Sequence, residues 1–227
     1  MKPYRVLVTG FGRFFTHGVN SSQRVNERLR HLQLPGVELS TLLLPVEFGR
    51  AFETLSAHLA QSPAPPDAVV LTGMAARARR IRLERLAVNV ADCESFAARG
   101  RRPALRPDNA GAAPVDREIV PGGPLALPAR ADVKGLARDL KGRGLPVEVS
   151  LSAGSYVCND VYYRALSHLP SGISCLFVHL PELPRRRPVR VFGIPVPFYG
   201  KRTAAALPLA EQVATVAALV AELARRR

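Results

Sequence analysis

Short apolar runs alternate along the chain with segments in which apolar residues recur at helical spacing. Several runs are apolar at nearly every position, which is typical of strands covered on both faces. The predicted strands are Tyr4–Val8, Val37–Leu44, Ala68–Leu71, Ile81–Val90, Glu148–Leu151 and Ser174–Leu180. The predicted helices are Ser21–Leu32, Gly49–Gln61, Ala131–Gly142, Asn159–Leu169 and Leu209–Arg226. This order predicts an α/β fold, a three-layer α/β/α sandwich around a twisted, largely parallel mixed sheet.

Two stretches depart from this alternation. One contains six prolines and predicts a long excursion with little regular structure, which in most proteins is functional or mobile. The other is rich in proline and arginine. We expect a single domain over residues 1–227, with longer excursions at about 93–128 and 185–203, the first of them mobile and covering a site. Ligands of such folds usually bind beyond the carboxyl ends of strands. The strand-exit loops are residues 10–20, 73–80 and 153–159.

The composition is that of an ordinary globular protein, with 47% hydrophobic and 22% charged residues. It excludes a disordered chain, a collagen and a coiled coil. No apolar run reaches the roughly 18 residues of a transmembrane helix. The apolar run near the start stops at Thr9-Gly10, too early for a signal peptide. We therefore expect a cytoplasmic protein without a membrane partner.

The net charge is +14, because the chain contains 32 Lys and Arg residues and only 18 Asp and Glu residues. Such an excess can indicate a nucleic-acid or acidic partner. Most of the arginines are scattered, however, and their clusters are not interleaved with aromatic residues as single-strand binding requires. The pattern favours a plain basic surface over nucleic-acid binding.

The cysteines are Cys93, Cys158 and Cys175, an odd number without a CxxC or Cys/His metal spacing. This argues against a disulfide scaffold and a metal site, and we expect no metal or cofactor. Cys158 stands at the predicted start of a helix, where unpaired N–H groups and the helix dipole favour a nucleophilic thiolate. The alternative is a buried thiol that packs as a small hydrophobe.

A thiolate nucleophile requires a general base and an acid that orients the base. His179 ends a predicted strand, from which it can project into a site; the alternative is a histidine packed at a sheet edge. Glu84 is the candidate acid. The apolar alternation changes phase between Leu83 and Leu86, which predicts a bulge near Glu84-Arg85 that re-aims side chains. The alternative is an ordinary solvated pair of Glu84 with Arg85.

Together with other residues, these candidates follow the motif order of one family. The matching motifs are Thr9-Gly10-Phe11 with Phe14 and Asn20, Leu44-Pro45 with Phe48, Glu84-Arg85 with Asn89 and Asp92, Pro107-Asp108-Asn109, Pro114-Val115-Asp116, Gly122-Gly123-Pro124, Ala153-Gly154 with Val157-Cys158-Asn159, and His179 with Pro181. The sequence resembles pyroglutamyl peptidase I, or pyrrolidone-carboxylate peptidase, a family of cysteine peptidases, over nearly the whole chain. The resemblance implies a homo-oligomeric exopeptidase, a dimer or tetramer, that removes N-terminal pyroglutamyl residues from peptides without a cofactor.

The family's triad falls on Glu84, Cys158 and His179. The resemblance implies that Cys158 attacks the carbonyl, that His179 transfers the proton and that Glu84 orients the imidazole. Backbone N–H groups and Arg85 would support the oxyanion. Two aromatic positions would hold the flat lactam ring, and four further positions would line its pocket. These substrate positions are Phe11 and Phe14, then Asn20, Met74, Tyr156 and Val157.

The sequence departs from the family pattern at the pocket rim. Met74 stands where many relatives have Gln, Phe15 and Thr16 replace glycines, and Ala78 replaces an arginine within an altered stretch at 76–80. Two alternatives therefore stay open. One is a thiol hydrolase or amidase on the same scaffold that accepts another small acyl group. The other is a basic protein that binds acidic or nucleic-acid partners and whose site is vestigial.

Overall fold

A seven-stranded mixed sheet with helices on both faces forms the body of the protein in the computed structural model, which describes residues 2–14, 19–95, 104–184, 187–191, 194–198 and 206–227. The strands are β1 (Tyr4–Phe11), β2 (Val37–Leu44), β3 (Ala68–Met74), β4 (Ile81–Val88), β5 (Glu94–Ser95), β6 (Ala104–Leu105), β7 (Ala126–Pro128), β8 (Val147–Ser152), β9 (Ser174–Leu180), β10 (Arg187–Val191) and β11 (Ile194–Phe198). The helices are α1 (Ser21–Leu29), α2 (Arg50–Gln61), α3 (Val133–Gly142), α4 (Val157–His168) and α5 (Leu209–Arg225).

The sheet is parallel from β2 through β1 and β3 to β9, and β4 runs in the opposite direction. β1 pairs in parallel with β2 and β3, and β3 pairs in parallel with β9. β4 runs antiparallel to β9 and to the short β7, and β8 pairs in parallel with β4. The predicted mixed, largely parallel sheet is confirmed. β8 therefore runs opposite to β1, β3 and β9.

Two apolar cores, one on each face of the sheet, give the three layers. Alternate residues of a strand point to opposite faces. On β1, Val6 and Val8 enter the first core, which α1, α3 and α5 cover, whereas Leu7 enters the second core, which α2 and α4 cover. All three of these side chains are almost completely buried. The predicted α/β/α sandwich is confirmed.

The predicted elements are all present, and their ends differ by a few residues. β1 and β3 continue three residues beyond the predicted ends, to Phe11 and Met74, which carries both strands into the candidate loops. α4 begins at Val157, two residues before the predicted start, so that Cys158 lies inside its first turn. β7 is missing from the prediction because three residues are too few to show an alternating pattern.

The two excursions contain short strands. Between residues 106 and 125 the chain forms no helix or strand, apart from a bridge of Arg117 with Ala91, while β5 pairs with β6. In the second excursion β10 and β11 form an antiparallel hairpin. Residues 96–103, 185–186, 192–193 and 199–205 lie outside the described residues, and the mobility of the first excursion stays a prediction. Among the helices that are described, none combines the length and the apolar character that crossing a membrane requires.

Candidate active site

A pocket of about 210 Å³ opens where the three candidate loops meet. Its lining residues are Phe11, Phe14, Asn20, Val46, Met74, Ala76, Arg106, Tyr156, Val157 and Cys158. All six predicted substrate positions and the candidate nucleophile are among them. Because β8 runs opposite to β1 and β3, the loop that follows it does not leave the sheet at their carboxyl edge. It reaches the pocket along the face that α4 covers.

Cys158 is the second residue of α4 and is half-buried. The helix begins after Tyr156, and no side chain caps its first turn. The N–H groups of a first turn have no partner within the helix, so those of Val157 and Cys158 remain available to a ligand. Gly154, with a φ of 84°, provides the left-handed turn that brings the chain into the helix. The thiol therefore lies beside free N–H donors at the positive end of the helix dipole.

Gly73, near the end of β3, packs directly against the thiol. A Cβ at this position would lie 2.8 Å from Sγ of Cys158 and 2.9 Å from Cζ of Phe177, closer than any side chain tolerates. Gly73 also pairs with His179 in the parallel register of β3 and β9. Because Gly73 has no side chain, the Cys158 thiol can lie close to the strand that carries His179.

His179 bridges the thiol and a buried carboxylate. Its Nδ1 lies 2.8 Å from Oε1 of Glu84, which is 1% exposed. Cys158 also raises the pKa of His179, and its sulfur packs at Gly73, the residue that pairs with His179 between β3 and β9. The structure therefore brings the three predicted triad residues close together.

The charges around His179 favour the protonated form of its imidazole. Burial by itself lowers the pKa of His179, but the hydrogen bonds with Cys158 and Glu84 and the charges of both groups outweigh it and raise the pKa to about 9. Burial raises the pKa of the other two thiols, to about 11 for Cys93 and to about 12 for Cys175.

Asn159 ties the nucleophile helix to the strand that carries Glu84. Its Oδ1 accepts from the N–H of Val88 at 2.9 Å, and its Nδ2 donates to the carbonyls of Val88 at 2.8 Å and Val90 at 3.0 Å. Asn159 is completely buried, so these bonds are shielded from water. The motif residue next to Cys158 therefore fixes the position of α4 against β4.

Aromatic rings form one wall of the pocket. Tyr156 contacts Phe14 edge to face at 5.6 Å between ring centroids, and Phe48 at 5.3 Å. Its hydroxyl donates to the carbonyl of Pro107 at 2.9 Å, and burial raises the pKa of Tyr156, so that the hydroxyl stays protonated. Phe11 is 2% exposed and lies deeper than Phe14. The wall is thus apolar, and the first excursion holds it in place.

Asn20 lines the pocket, but its side-chain amide already makes hydrogen bonds with neighbouring residues of the chain. Asn20 is the N-cap of α1, and its Oδ1 accepts from the N–H and the hydroxyl of Ser22. Its Nδ2 donates to the carbonyl of Gly12 at 3.0 Å. These bonds fix the loop that carries Phe11 and Phe14. Asn20 therefore shapes the pocket through that loop.

Arg85 is not part of the pocket, which corrects its predicted role. Glu84 faces the thiol, and the next residue of a strand points to the opposite face. The Arg85 side chain is exposed and lines a separate cleft with Asp132 and Lys134 at the start of α3. The oxyanion support expected of Arg85 is therefore not available from this position.

The predicted bulge near Glu84-Arg85 is also corrected. In the ladder between β4 and β8 the register advances by two residues on each strand from Glu84 to Leu86, so no residue is inserted there. The change of phase itself is real, because Leu83 packs in the first core and Ala87 in the second. It occurs where β4 leaves β9 and begins to pair with β7.

Sequence reasoning missed four residues of the site: Gly73, and the lining residues Val46, Ala76 and Arg106. Arg106 immediately precedes the Pro107-Asp108-Asn109 motif, and this position is the signal that could have identified it. Within the described part of the chain, no three histidine, cysteine or acidic side chains lie close enough together to hold a metal ion.

Comparison with known proteins identifies the family of this chain. The family profile described as pyroglutamyl peptidase matches residues 4–217. The pyrrolidone-carboxylate peptidase of Chromobacterium violaceum is 38% identical over 181 residues, or 80% of this chain and 79% of that protein. The crystal structure of the Fervidobacterium islandicum pyrrolidone carboxyl peptidase matches with a TM-score of 0.79 and 31% identity, over 96% of this chain and 97% of that one. The Thermus thermophilus pyrrolidone carboxyl peptidase matches with a TM-score of 0.75 and 35% identity, over 95% and 98% of the two chains. This chain therefore belongs to the pyroglutamyl peptidase family of cysteine peptidases.

Proposed function

We propose that the protein removes N-terminal pyroglutamyl residues from peptides, with Cys158 as the nucleophile, His179 as the general base and acid, and Glu84 as the residue that orients His179. The observation that carries the proposal is the position of His179, which contacts the buried Glu84 through Nδ1 and lies beside the strand position against which the pocket-lining Cys158 thiol packs. A nucleophile, a base and an orienting acid in this arrangement are the parts that acyl transfer requires.

In the first half of the reaction the Cys158 sulfur attacks the carbonyl carbon of the pyroglutamyl residue. The carbonyl π electrons move to oxygen, and the N–H groups in the first turn of α4, the helix that carries Cys158, can bind this oxyanion. His179, protonated by the thiol proton, then donates a proton to the departing amine nitrogen. The C–N bond breaks, and a pyroglutamyl thioester remains on Cys158.

In the second half a water molecule replaces the peptide. His179, now neutral, takes a proton from the water as its oxygen attacks the thioester carbonyl. The C–S bond breaks, pyroglutamate leaves, and the proton on His179 restores the resting pair. Throughout, Glu84 holds the imidazole tautomer through Nδ1 and stabilises the imidazolium.

The pocket fits a compact neutral ring. Seven of its ten lining side chains are apolar or aromatic, none is acidic, and Arg106 is the one charged group among them. A lactam ring carries no charge, so it enters such a space at a lower desolvation cost than the charged amino group and side chain of an N-terminal glutamate. This preference supports a pyroglutamyl substrate over an unmodified N-terminus.

The test is turnover of a fluorogenic pyroglutamyl amide. The wild-type protein is expected to release the fluorophore, and Cys158→Ser is expected to abolish release without a change in Tm. Cys93→Ser is the matched control, because Cys93 is also a free thiol but is 3% exposed and lies outside the pocket lining. Wild-type protein that is inert toward the amide, although iodoacetamide labels Cys158 rapidly, would favour the alternative of a thiol hydrolase for another acyl group.

The cellular location and the assembly belong to the same proposal. A thiolate nucleophile and three unpaired cysteines suit a reducing compartment, which supports the cytoplasm. Val149 and Leu151 on β8 are 37% and 66% exposed, which supports a homo-oligomer that covers apolar surface. Light scattering of the purified chain measures the number of subunits.

A further inference from the structure

Arg106 is an exposed cation in the lining of the pocket, and the described residues provide no counter-ion for it. Its side chain is exposed and lines the same pocket as Cys158, whose lining contains no acidic residue. All 18 acidic residues of the chain lie within the described ranges, and none of the ion pairs found there includes Arg106. Asp108, two residues further on, is buried and accepts backbone N–H groups. The guanidinium is therefore free to bind a negative group of a ligand.

The backbone around Arg106 is fixed by hydrogen bonds on both sides. Its own N–H donates to the carbonyl of Cys93 at 3.0 Å. The carbonyl of the next residue, Pro107, accepts from the Tyr156 hydroxyl at 2.9 Å, and Asp108 accepts from the N–H of Phe48 at 2.8 Å. The cation is thus held at the mouth by contacts with the pocket wall itself.

The part of a substrate that meets Arg106 follows from the size of the pocket. With the proposed function, the pyroglutamyl ring occupies the pocket of about 210 Å³, and the scissile carbonyl lies at Cys158. The remainder of the peptide must leave through the open mouth. The residue directly after the pyroglutamyl group is therefore the one nearest to the exposed guanidinium.

The surrounding sequence has the same sign of charge. Between Glu94 and Asp108 the chain carries four arginines and no acidic residue, and the net charge of the whole protein is +14. A basic field of this kind raises the local concentration of anionic ligands. A planar guanidinium then binds a carboxylate through paired N–H donors.

We propose that Arg106 selects pyroglutamyl peptides that carry a carboxylate on the residue directly after the scissile bond. The carboxylate can be an acidic side chain at that position or the C-terminal carboxylate of a dipeptide. This inference rests on the proposed function, since it assigns the group that follows the pyroglutamyl ring. Arg106 is in this view a specificity-determining residue and not a participant in bond cleavage.

The experiment is a competition between matched peptides in one solution. In the first arm pyroglutamyl-Glu-Ala-amide competes with pyroglutamyl-Gln-Ala-amide, and in the second pyroglutamyl-Gln competes with pyroglutamyl-Gln-amide. The ratio of consumption, read by mass spectrometry, gives the ratio of kcat/KM. An exposed ion pair predicts a preference of about 1.5- to fivefold for the carboxylate in at least one arm, and the arms distinguish the two sources of the carboxylate.

Variants then assign the preference to one residue. Arg106→Gln is expected to bring the ratio close to one, and Arg106→Lys to retain part of the preference. Arg143→Gln is the matched control: it removes the same charge from an exposed position at the end of α3, and it is expected to keep the full ratio. Raising the salt concentration is expected to reduce the wild-type ratio.

Three results would overturn the inference. Equal wild-type consumption of both peptides in both arms would show that Arg106 does not recognise a carboxylate. An equal loss of rate on charged and neutral peptides in Arg106→Gln, with the ratio unchanged, would show that Arg106 acts on the reacting carbonyl. A ratio that falls equally in Arg106→Gln and Arg143→Gln would assign the effect to net charge. Failure of the proposed function looks different, because then none of the peptides is consumed.

Discussion

Gly73→Ala tests how closely the strand and the nucleophile are packed. The new Cβ would lie 2.8 Å from Sγ of Cys158 and 2.9 Å from Cζ of the fully buried Phe177. Since non-bonded heavy atoms settle at roughly 3.5 Å or more, the sulfur must retreat by about 0.7 Å. A displacement of about 1 Å at a reacting centre costs on the order of 10²-fold in rate, so kcat/KM on the fluorogenic pyroglutamyl amide should fall about 10²-fold.

The effect on stability is expected to be much smaller. Overpacking costs about 1–3 kcal/mol, whereas replacing glycine by alanine in an extended strand returns about 0.4–1 kcal/mol through the unfolded state. The net loss of about 0–2.6 kcal/mol lowers Tm by at most roughly 10 °C for a chain of this size. Gly142→Ala is the matched control, because a Cβ at Gly142 meets nothing within 4 Å. Wild-type kcat/KM in Gly73→Ala would refute the packing of Gly73 against the thiol.

Two further predictions concern the charges of the site. Iodoacetamide is expected to label Cys158 first near neutral pH. The other two thiols are buried, and burial raises the pKa of Cys93 to about 11 and that of Cys175 to about 12. Peptide mapping that finds either of these two cysteines labelled faster than Cys158 would contradict the prediction. Glu84→Gln is expected to lower kcat by roughly 10³- to 10⁴-fold. Because the negative charge of Glu84 helps to raise the pKa of His179 to about 9, its loss should also move the alkaline limb of the pH–rate profile to lower pH, and an unmoved limb would argue against the contact.

Local pattern predicts the elements and selects the three candidate triad residues, because both leave a signal in adjacent residues. The apolar runs of strands buried on two faces are visible without any tertiary information, as in Val69, Val70 and Leu71. Cys158 was identified by its place at a helix start, and His179 by its place at a strand end. That Cys158 and His179 lie close together in the fold is implied by the resemblance to the family, and the number of residues between them in the sequence does not predict it.

The remaining features depend on which faces and strands meet. Arg85 follows Glu84 in the sequence, but alternation sends its side chain to the other side of the sheet, so adjacency in the chain was misleading. Gly73 matters because Cys158 and Phe177 approach it from distant parts of the chain. Arg106 reaches the pocket through a long excursion whose path no periodic pattern encodes.

The central claim is that Cys158 carries a pyroglutamyl group during turnover. The most direct measurement is rapid acid quench of the enzyme during hydrolysis of a pyroglutamyl amide, followed by mass spectrometry of its peptides. We expect the peptide that contains Cys158 to gain the mass of one pyroglutamyl group during the burst, and the peptides of Cys93 and Cys175 to stay unmodified. Turnover without any adduct in wild type, together with undiminished turnover in Cys158→Ser, would contradict the account.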